Sequence, residues 1–457
     1  MRSDERSRSE RRERSGRREV GRLCRSLEGV TFRGRAASVS RSARRHMRSL
    51  YISQNGMAEN LGQSQVLPYL RGLARRGVEI DLVSFELSTV TAEAREAIRS
   101  SLAQSGIRWH PLSRTMRAPL AVKVQEAARG VSTSLRAALA RPPDIIHGRS
   151  YFATAIADVT GQVSRRSKVL FDCRGMIGDE YVDCGHWTKE RIEYRLVKTY
   201  ERRLFRQADG IVTLTHALAR WLKDNHVLGS RPALEVIPCC VDMDRFRPSE
   251  EARTRLRREL RIDGDLTIVY AGSLGTWYLE PEMARFAAAV RRHHQKLGGR
   301  VSFVCFTPSD ASRLQAQLAK TGFAETDVVV RKVEPSRMPE YLCVGDVGLS
   351  FIQSCFSKTG SSPTKVAEYL ACGNVAVVNG DIGDQTDLAT ENGACVVLDD
   401  FSNTSIERCA REVVALATRP RPLRTSSTVD AARRHFDLER VGVARYARLY
   451  DTLMRAR

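Results

Sequence analysis

A short apolar run, a glycine-bearing loop, an amphipathic helix and a second apolar run follow one another from residue 49, and the same succession restarts at residue 266. This order dictates a parallel sheet, because parallel strands need a long crossover connection and a helix supplies it. Ser49-Leu50-Tyr51-Ile52-Ser53 reads as the first strand and ends in a loop holding Gly56 and Gly62. The helix after it sets Val66, Leu67, Leu70 and Leu73 on one face and stops at Gly77, before a strand at Glu79–Phe85. Asp144–His147, Lys168–Asp172, Gly210–Leu214 and Leu234–Pro238 supply further strand ends, with the charged stretch Lys189–Gln207 as a surface helix. Cys239–Pro248 reads as a connector.

The second half opens with Leu266–Ala271, a buried strand, followed by Gly272 and Gly275 and a helix from near Pro281. Val301–Phe306, Asp327–Val330, Val347–Phe351, Val375–Val378 and Ala394–Leu398 add strands, and Thr364–Cys372 reads as a helix stopped by Gly373. Phe436–Leu453 is amphipathic, with Val441, Tyr446, Leu449, Tyr450 and Leu453 near helical spacing. The expected class is α/β, with two doubly wound, Rossmann-like domains at 47–240 and 241–435 facing a cleft. Residues 436–457 form a closing helix that packs back across it. Sheets of this kind bind ligands beyond the carboxyl ends of their strands.

With 42% hydrophobic residues among 457, the chain fills two cores. No stretch approaches the roughly 20 apolar residues of a membrane span, and no h-region marks the N-terminus. The expected setting is the cytoplasm, or the inner face of the cytoplasmic membrane. Eleven scattered cysteines, most set inside apolar runs, read as reduced thiols, and no spacing suits a metal. Of the net charge of +21, +9 lies in residues 1–46, where 15 Arg face 6 acids. That segment reads as a solvated disordered arm, as a contact for anionic membrane or nucleic acid, or as sequence upstream of a start at Met47. The remaining charge is diffuse, and neither an aromatic-rich RNA motif nor zinc spacing accompanies it. No nucleic-acid partner is therefore expected, whereas contact with anionic headgroups suits the basic body.

The sharpest motif is Ser361-Ser362-Pro363-Thr364-Lys365-Val366-Ala367-Glu368. Ser362 suits an N-cap, Pro363 the first helical position and Gly373 the C-terminal cap. A helix N-terminus offers free N–H groups and partial positive charge to a diphosphate. Lys365 adds a cation, and Glu368 is placed to accept bonds from a ribose diol. The alternative is an ordinary capped helix with solvated charges. Gly272-Ser273-Leu274-Gly275 follows a strand and permits close approach of a phosphate. Asn55–Gln65, with Gly62 and Gln63, is an amide-rich turn suited to hydroxyl groups. Arg174, Asp179 and Glu180 follow another strand end and suit acid–base work, an anionic substrate or a structural ion network.

At these residues the chain resembles the retaining glycosyltransferases of the large family four, with the two-Rossmann GT-B fold, above all the bacterial surface-polysaccharide branch. The matching stretches are Tyr51–Leu73, Asp144–Ser150, Phe171–Trp187, Ala208–Leu214, Val236–Phe246, Tyr270–Tyr278 and Ser361–Val378. The resemblance implies metal-independent transfer, without cofactor, from a nucleotide-diphosphate sugar to a saccharide or lipid-linked acceptor. With the residue chemistry above, catalysis is expected of Arg174, Asp179, Glu180 and Lys365. Donor binding would fall to Gly272, Ser273, Leu274, Gly275, Arg331, Lys332, Ser361, Ser362, Thr364, Lys365 and Glu368. Acceptor binding would fall to Asn55, Gly62, Gln63 and Arg149.

Glu368 matches the second of the family's two motif glutamates, while the position of the first holds Gly360. Ser273 stands where the family has an arginine, so Lys365 or the Arg331–Lys332 pair would serve the leaving diphosphate. The acceptor-domain histidine is also missing after Phe171-Asp172. A nucleotide-sugar epimerase and a non-catalytic transferase subunit are the alternative readings.

Overall fold

Strands buried on both faces need apolar side chains at nearly every position, and the centre of the second sheet has them. Every residue of Leu266–Ala271 and of Val301–Phe306 is buried. A computed structural model describes residues 46–455 other than 117, 118, 231 and 392. The Arg-rich segment, and with it the readings offered for it, lies outside the described residues apart from His46.

The first sheet has seven parallel strands in the order β3-β2-β1-β4-β5-β6-β7. They are β1 (Arg48–Ser53), β2 (Glu79–Leu87), β3 (Ile107–Arg114), β4 (Ile145–Arg149), β5 (Lys168–Asp172), β6 (Gly210–Thr213) and β7 (Ala233–Val236). The second has six in the order β10-β9-β8-β11-β12-β13. They are β8 (Leu266–Ala271), β9 (Val301–Phe306), β10 (Val328–Arg331), β11 (Val347–Ser350), β12 (Val375–Asn379) and β13 (Cys395–Leu398). Both orders reverse beside the first strand of their sheet, which opens a crevice at its carboxyl end. Each half is thus a doubly wound α/β unit, as the sequence implies. Strand β3 and the helices Ala92–Gln104 and Leu120–Ala140 had no counterpart in the sequence reading. As an edge strand, β3 is buried at only part of its positions, so its pattern is blurred by Arg108, His110 and Arg114.

The chain crosses between the two sheets twice, and the crossings touch. Val241 N–H donates to Phe436 O at 2.8 Å and Leu438 N–H donates to Val241 O at 3.0 Å, forming a short parallel bridge between Val241 and Asp437. Here the sequence reading needs correction, because no single helix spans Phe436–Leu453. A helix over Arg421–Phe436 ends at the crossing. Asp437 then caps a widened turn, accepting from the N–H groups of Glu439 and Arg440 at 2.8 and 2.9 Å, and Ala444–Arg455 forms the last helix. A carboxylate at an N-cap competes with continuation of the preceding helix. The last helix buries Tyr446, Leu449, Tyr450 and Leu453 with Tyr69, Leu70 and Leu73 in the core of the first sheet. No helix among the described residues is long and apolar enough to cross a membrane.

Candidate active site

The helix Thr364–Ala371 follows strand β11 and a one-turn segment at Phe356–Gly360, and its N-terminus faces the first domain. Its cap differs from the expected one. Pro363 itself is the N-cap, in an extended conformation with no side-chain cap. Ser362, restricted by the proline after it, instead accepts the Cys239 N–H on its hydroxyl at 3.1 Å. The first N–H groups of the helix thus have no side-chain cap, the condition that suits an anion.

Two cavities meet at this helix. One, of about 610 Å³, lies beyond the strand ends of the second sheet, lined by Gly272, Ser273, Thr307, Lys332 and Glu368, with Gln63 on the far side. The other, of about 470 Å³, lies between Asn55, Arg149, Arg174 and Glu180 of the first domain and Trp277, Lys358, Ser361 and Ser362 of the second. Thr364, Lys365, Tyr278 and Leu61 line both. Lys365 therefore stands at the wall shared by the two compartments.

Lys365 is 6% exposed, and its Nζ has no hydrogen-bond partner among the described residues. The ammonium lies 3.8 Å from the Tyr278 ring centre and 4.0 Å from that of Tyr270, against their electron-rich faces. Burial pushes its pKa down to about 7, opposed by Glu368 and then Cys305. Burial likewise pushes Glu368 up to about 7, opposed by Lys365 and Arg245. Burial thus works against the cation that the sequence places here, and an incoming anion would favour it. Gly272 has φ +125°, and a Cβ there would stand 3.1 Å from Lys365 Nζ. The glycine turn and the lysine are thereby one construction, since a larger residue would displace the ammonium.

The cation expected from Ser273's position is absent, but Lys358, which the sequence reading missed, is present. It is 7% exposed, lies 3.6 Å from the Trp277 ring centre and pairs with Glu180 of the first domain at 3.3 Å. Lys358 and Trp277 come together only through the fold. The one available hint was that Trp277 and Tyr278 sit in a quoted motif.

Asp179 does not line either compartment. Its carboxylate accepts from Tyr194 OH at 3.0 Å and from Lys198 Nζ at 2.7 Å, and Lys198 also pairs with buried Glu201. This is the structural ion network that the sequence left open. Gly62 is also structural, because a Cβ there would fall 2.1 Å from Gly56 O. Arg331 is exposed at the end of β10 outside the lining, whereas Lys332 lines it. Leu274 and Gly275 shape the turn rather than the cavity. The Leu274 N–H donates to Ser309 Oγ at 3.1 Å, and Gly275 takes φ +85°. Gly360 is buried, and a Cβ on it would meet Leu218 Cδ2 at 2.9 Å, on a helix of the first domain.

Residues 62–240 match the family model described as "Glycosyl transferase 4-like domain". A search of curated protein sequences gave no match. Among solved structures, HepE of Anabaena in complex with UDP and glucose is similar at TM-score 0.62 and 15% identity, covering 90% of this chain and 100% of that one. Sucrose-phosphate synthase from Thermosynechococcus elongatus is similar at TM-score 0.64 and 13% identity, with the same coverage. WaaG, a glycosyltransferase involved in lipopolysaccharide biosynthesis, is similar at 0.59 and 13%, covering 89% and 99%. Residues 62–240 thus resemble a glycosyl transferase 4-like domain, and the chain shares across both halves the two-sheet GT-B fold of these solved structures.

Proposed function

We propose that this protein is a retaining, metal-independent glycosyltransferase that moves a sugar from a nucleotide-diphosphate sugar to a saccharide or lipid-linked acceptor. The acceptor is made in cell-surface polysaccharide biosynthesis at the inner face of the cytoplasmic membrane. The observation that carries this reading is the position of Lys365: buried, unpaired, beside an uncapped helix N-terminus, and shared by two compartments of ligand size. The nucleoside fits the compartment with Glu368, the diphosphate the junction, and the sugar the compartment between the domains. Support also comes from the relatives, since HepE is described with UDP and glucose and WaaG as a lipopolysaccharide enzyme.

In this reading the bond from the anomeric carbon to the diphosphate loosens and charge accumulates on the leaving group. The helix N-terminus and Lys365 stabilise that charge most in the transition state, so they lower the barrier rather than merely tighten binding. The adjoining crossings at Val241 and Asp437 serve as the hinge for closure, which excludes water from the donor. The test is incubation with nucleotide-diphosphate sugars and lipid-linked or free saccharides, followed by mass spectrometry and NMR of the anomeric centre. A product retaining the donor's configuration, and absent with Lys365→Ala, is expected. An inverted product, or turnover undiminished in Lys365→Ala, refutes the reading.

A further inference from the structure

On the wall opposite Lys365, strand β4 turns abruptly into the helix Ser150–Val163. Ser150 holds φ +68°, a left-handed conformation that costs energy in a residue with a side chain, and strain of this kind is found where a site dictates the backbone. Its helix has fourteen residues and no side-chain cap; the N-cap is Arg149. Arg149 is 6% exposed. Its Nη1 donates to the amide oxygen of Asn55 at 3.1 Å, its Nε has no partner among the described residues, and no carboxylate pairs with it there.

Arg174 lines the same compartment, reaching Asp172 behind it at 3.4 Å and Cys239 Sγ at 3.5 Å. Four cations, Arg149, Arg174, Lys358 and Lys365, therefore line a space to which Glu180 is the one acid contributed. Glu180 is engaged by Lys358, and Lys365 serves the diphosphate junction. A buried guanidinium with no carboxylate in salt-bridge range and a free Nε, at the foot of an uncapped helix, suits an anion. The geometry points to a second anion subsite, built by Arg149, Arg174 and the first turn of Ser150–Val163, which holds a phosphate or carboxylate of the acceptor.

The assignment to the acceptor rests on the proposed reaction, since this wall does not line the nucleoside compartment. The anion itself rests on the residues alone. Inorganic phosphate and acetate are the probes, titrated calorimetrically into the full chain. Saturable phosphate binding is expected in the wild type and in Lys365→Ala, with at least a tenfold loss in Arg149→Gln and partial recovery in Arg149→Lys. Preference for phosphate over acetate assigns a phosphorylated acceptor, and the reverse assigns a uronic acid. Should Arg149→Gln lose its cooperative melt, Arg174→Gln carries the same comparison. Equal binding in the folded Arg149 or Arg174 variant and the wild type overturns the subsite. In turnover, Arg149→Gln is expected to raise KM for the anionic acceptor tenfold or more while leaving the donor KM unchanged. Equal use of neutral and anionic acceptors overturns the assignment to the acceptor. Phosphate binding that depends on Arg149 in a protein with no transfer activity would retain the subsite and sink the glycosyltransferase reading.

Discussion

Tyr446, on the last helix of the chain, donates a 3.0 Å hydrogen bond to the carboxylate of Asp172, the buried partner of cleft-lining Arg174. The neighbouring Tyr450 hydroxyl bonds His147 Nδ1 at 2.8 Å and Ser49 Oγ at 3.1 Å, and His147 Nε2 stands 3.5 Å from Asp172. Burial pushes the Asp172 pKa up, but Arg174 and His147 outweigh it and hold the carboxyl well below the usual range. The C-terminal helix thereby closes a polar network beneath the cleft. Tyr446→Phe keeps the ring and removes one bond to a buried charge, a loss of about 1.5–3 kcal/mol. Urea unfolding with a lowered midpoint and unchanged slope is the expected result. A midpoint equal to the wild type would show that the bond contributes nothing.

Donor affinity should peak near pH 7, with each limb assigned to one side chain. Lys365 must be protonated to meet a diphosphate, and its depressed pKa of about 7 makes affinity fall as pH rises above that value. Glu368 accepts ribose hydroxyls best as a carboxylate, and its raised pKa of about 7 makes affinity fall as pH drops below it. Calorimetry of a nucleotide-diphosphate sugar across pH 5–9 reads both limbs, and Glu368→Gln should abolish the acid limb and, because Glu368 supports the charge on Lys365, move the basic limb to lower pH. A flat profile across neutrality would contradict the assignment. The same shifts govern stability in the free protein. The folded state holds fewer protons on Lys365 between about 7 and its ordinary 10.5, so stability rises with pH through that window. Between 4.5 and about 7 the folded state holds more protons on Glu368, so this group makes stability fall as pH rises.

A glutamate introduced at position 360 should not reach a donor sugar. A side chain at 360 meets buried Leu218 rather than open cleft, and overpacking of this kind costs about 1–3 kcal/mol. Gly360→Glu is expected to lower the melting temperature and leave donor affinity no better than the wild type. Tighter donor binding with an unchanged melt would place residue 360 in the cleft after all.

Much of the fold was legible because β8, β9 and β12 are short, mostly apolar runs, each with glycine within a few residues of at least one end, a signal that survives without knowledge of neighbours. Strand β3 was not, since half its side chains face solvent or ion partners such as Asp81, which pairs with Arg108. In the site, Lys365 and Glu368 were singled out from helical spacing, but the burial that shifts both pKa values and the packing of Lys365 against Tyr270 and Tyr278 are set by the fold, which spacing does not reveal. Asp179 and Glu180 are adjacent in sequence and alike in type. Only the fold sends one to Lys198 and the other to Lys358 across the cleft. The turn at Asp437 was hidden because its cap interrupts an amphipathic pattern that continues on both sides.

The most direct measurement is a thermal-shift comparison of the full chain with UDP-, GDP-, ADP-, CMP- and TDP-sugars, alongside Glu368→Ala. A ligand at 100 times its dissociation constant adds about 2.7 kcal/mol of stability, enough to move the melt visibly. A shift with one nucleotide, lost in a variant that melts near the wild-type temperature without ligand, is the predicted result. No shift with any of the five, or a shift that persists in Glu368→Ala, would contradict a donor site on the helix Thr364–Ala371.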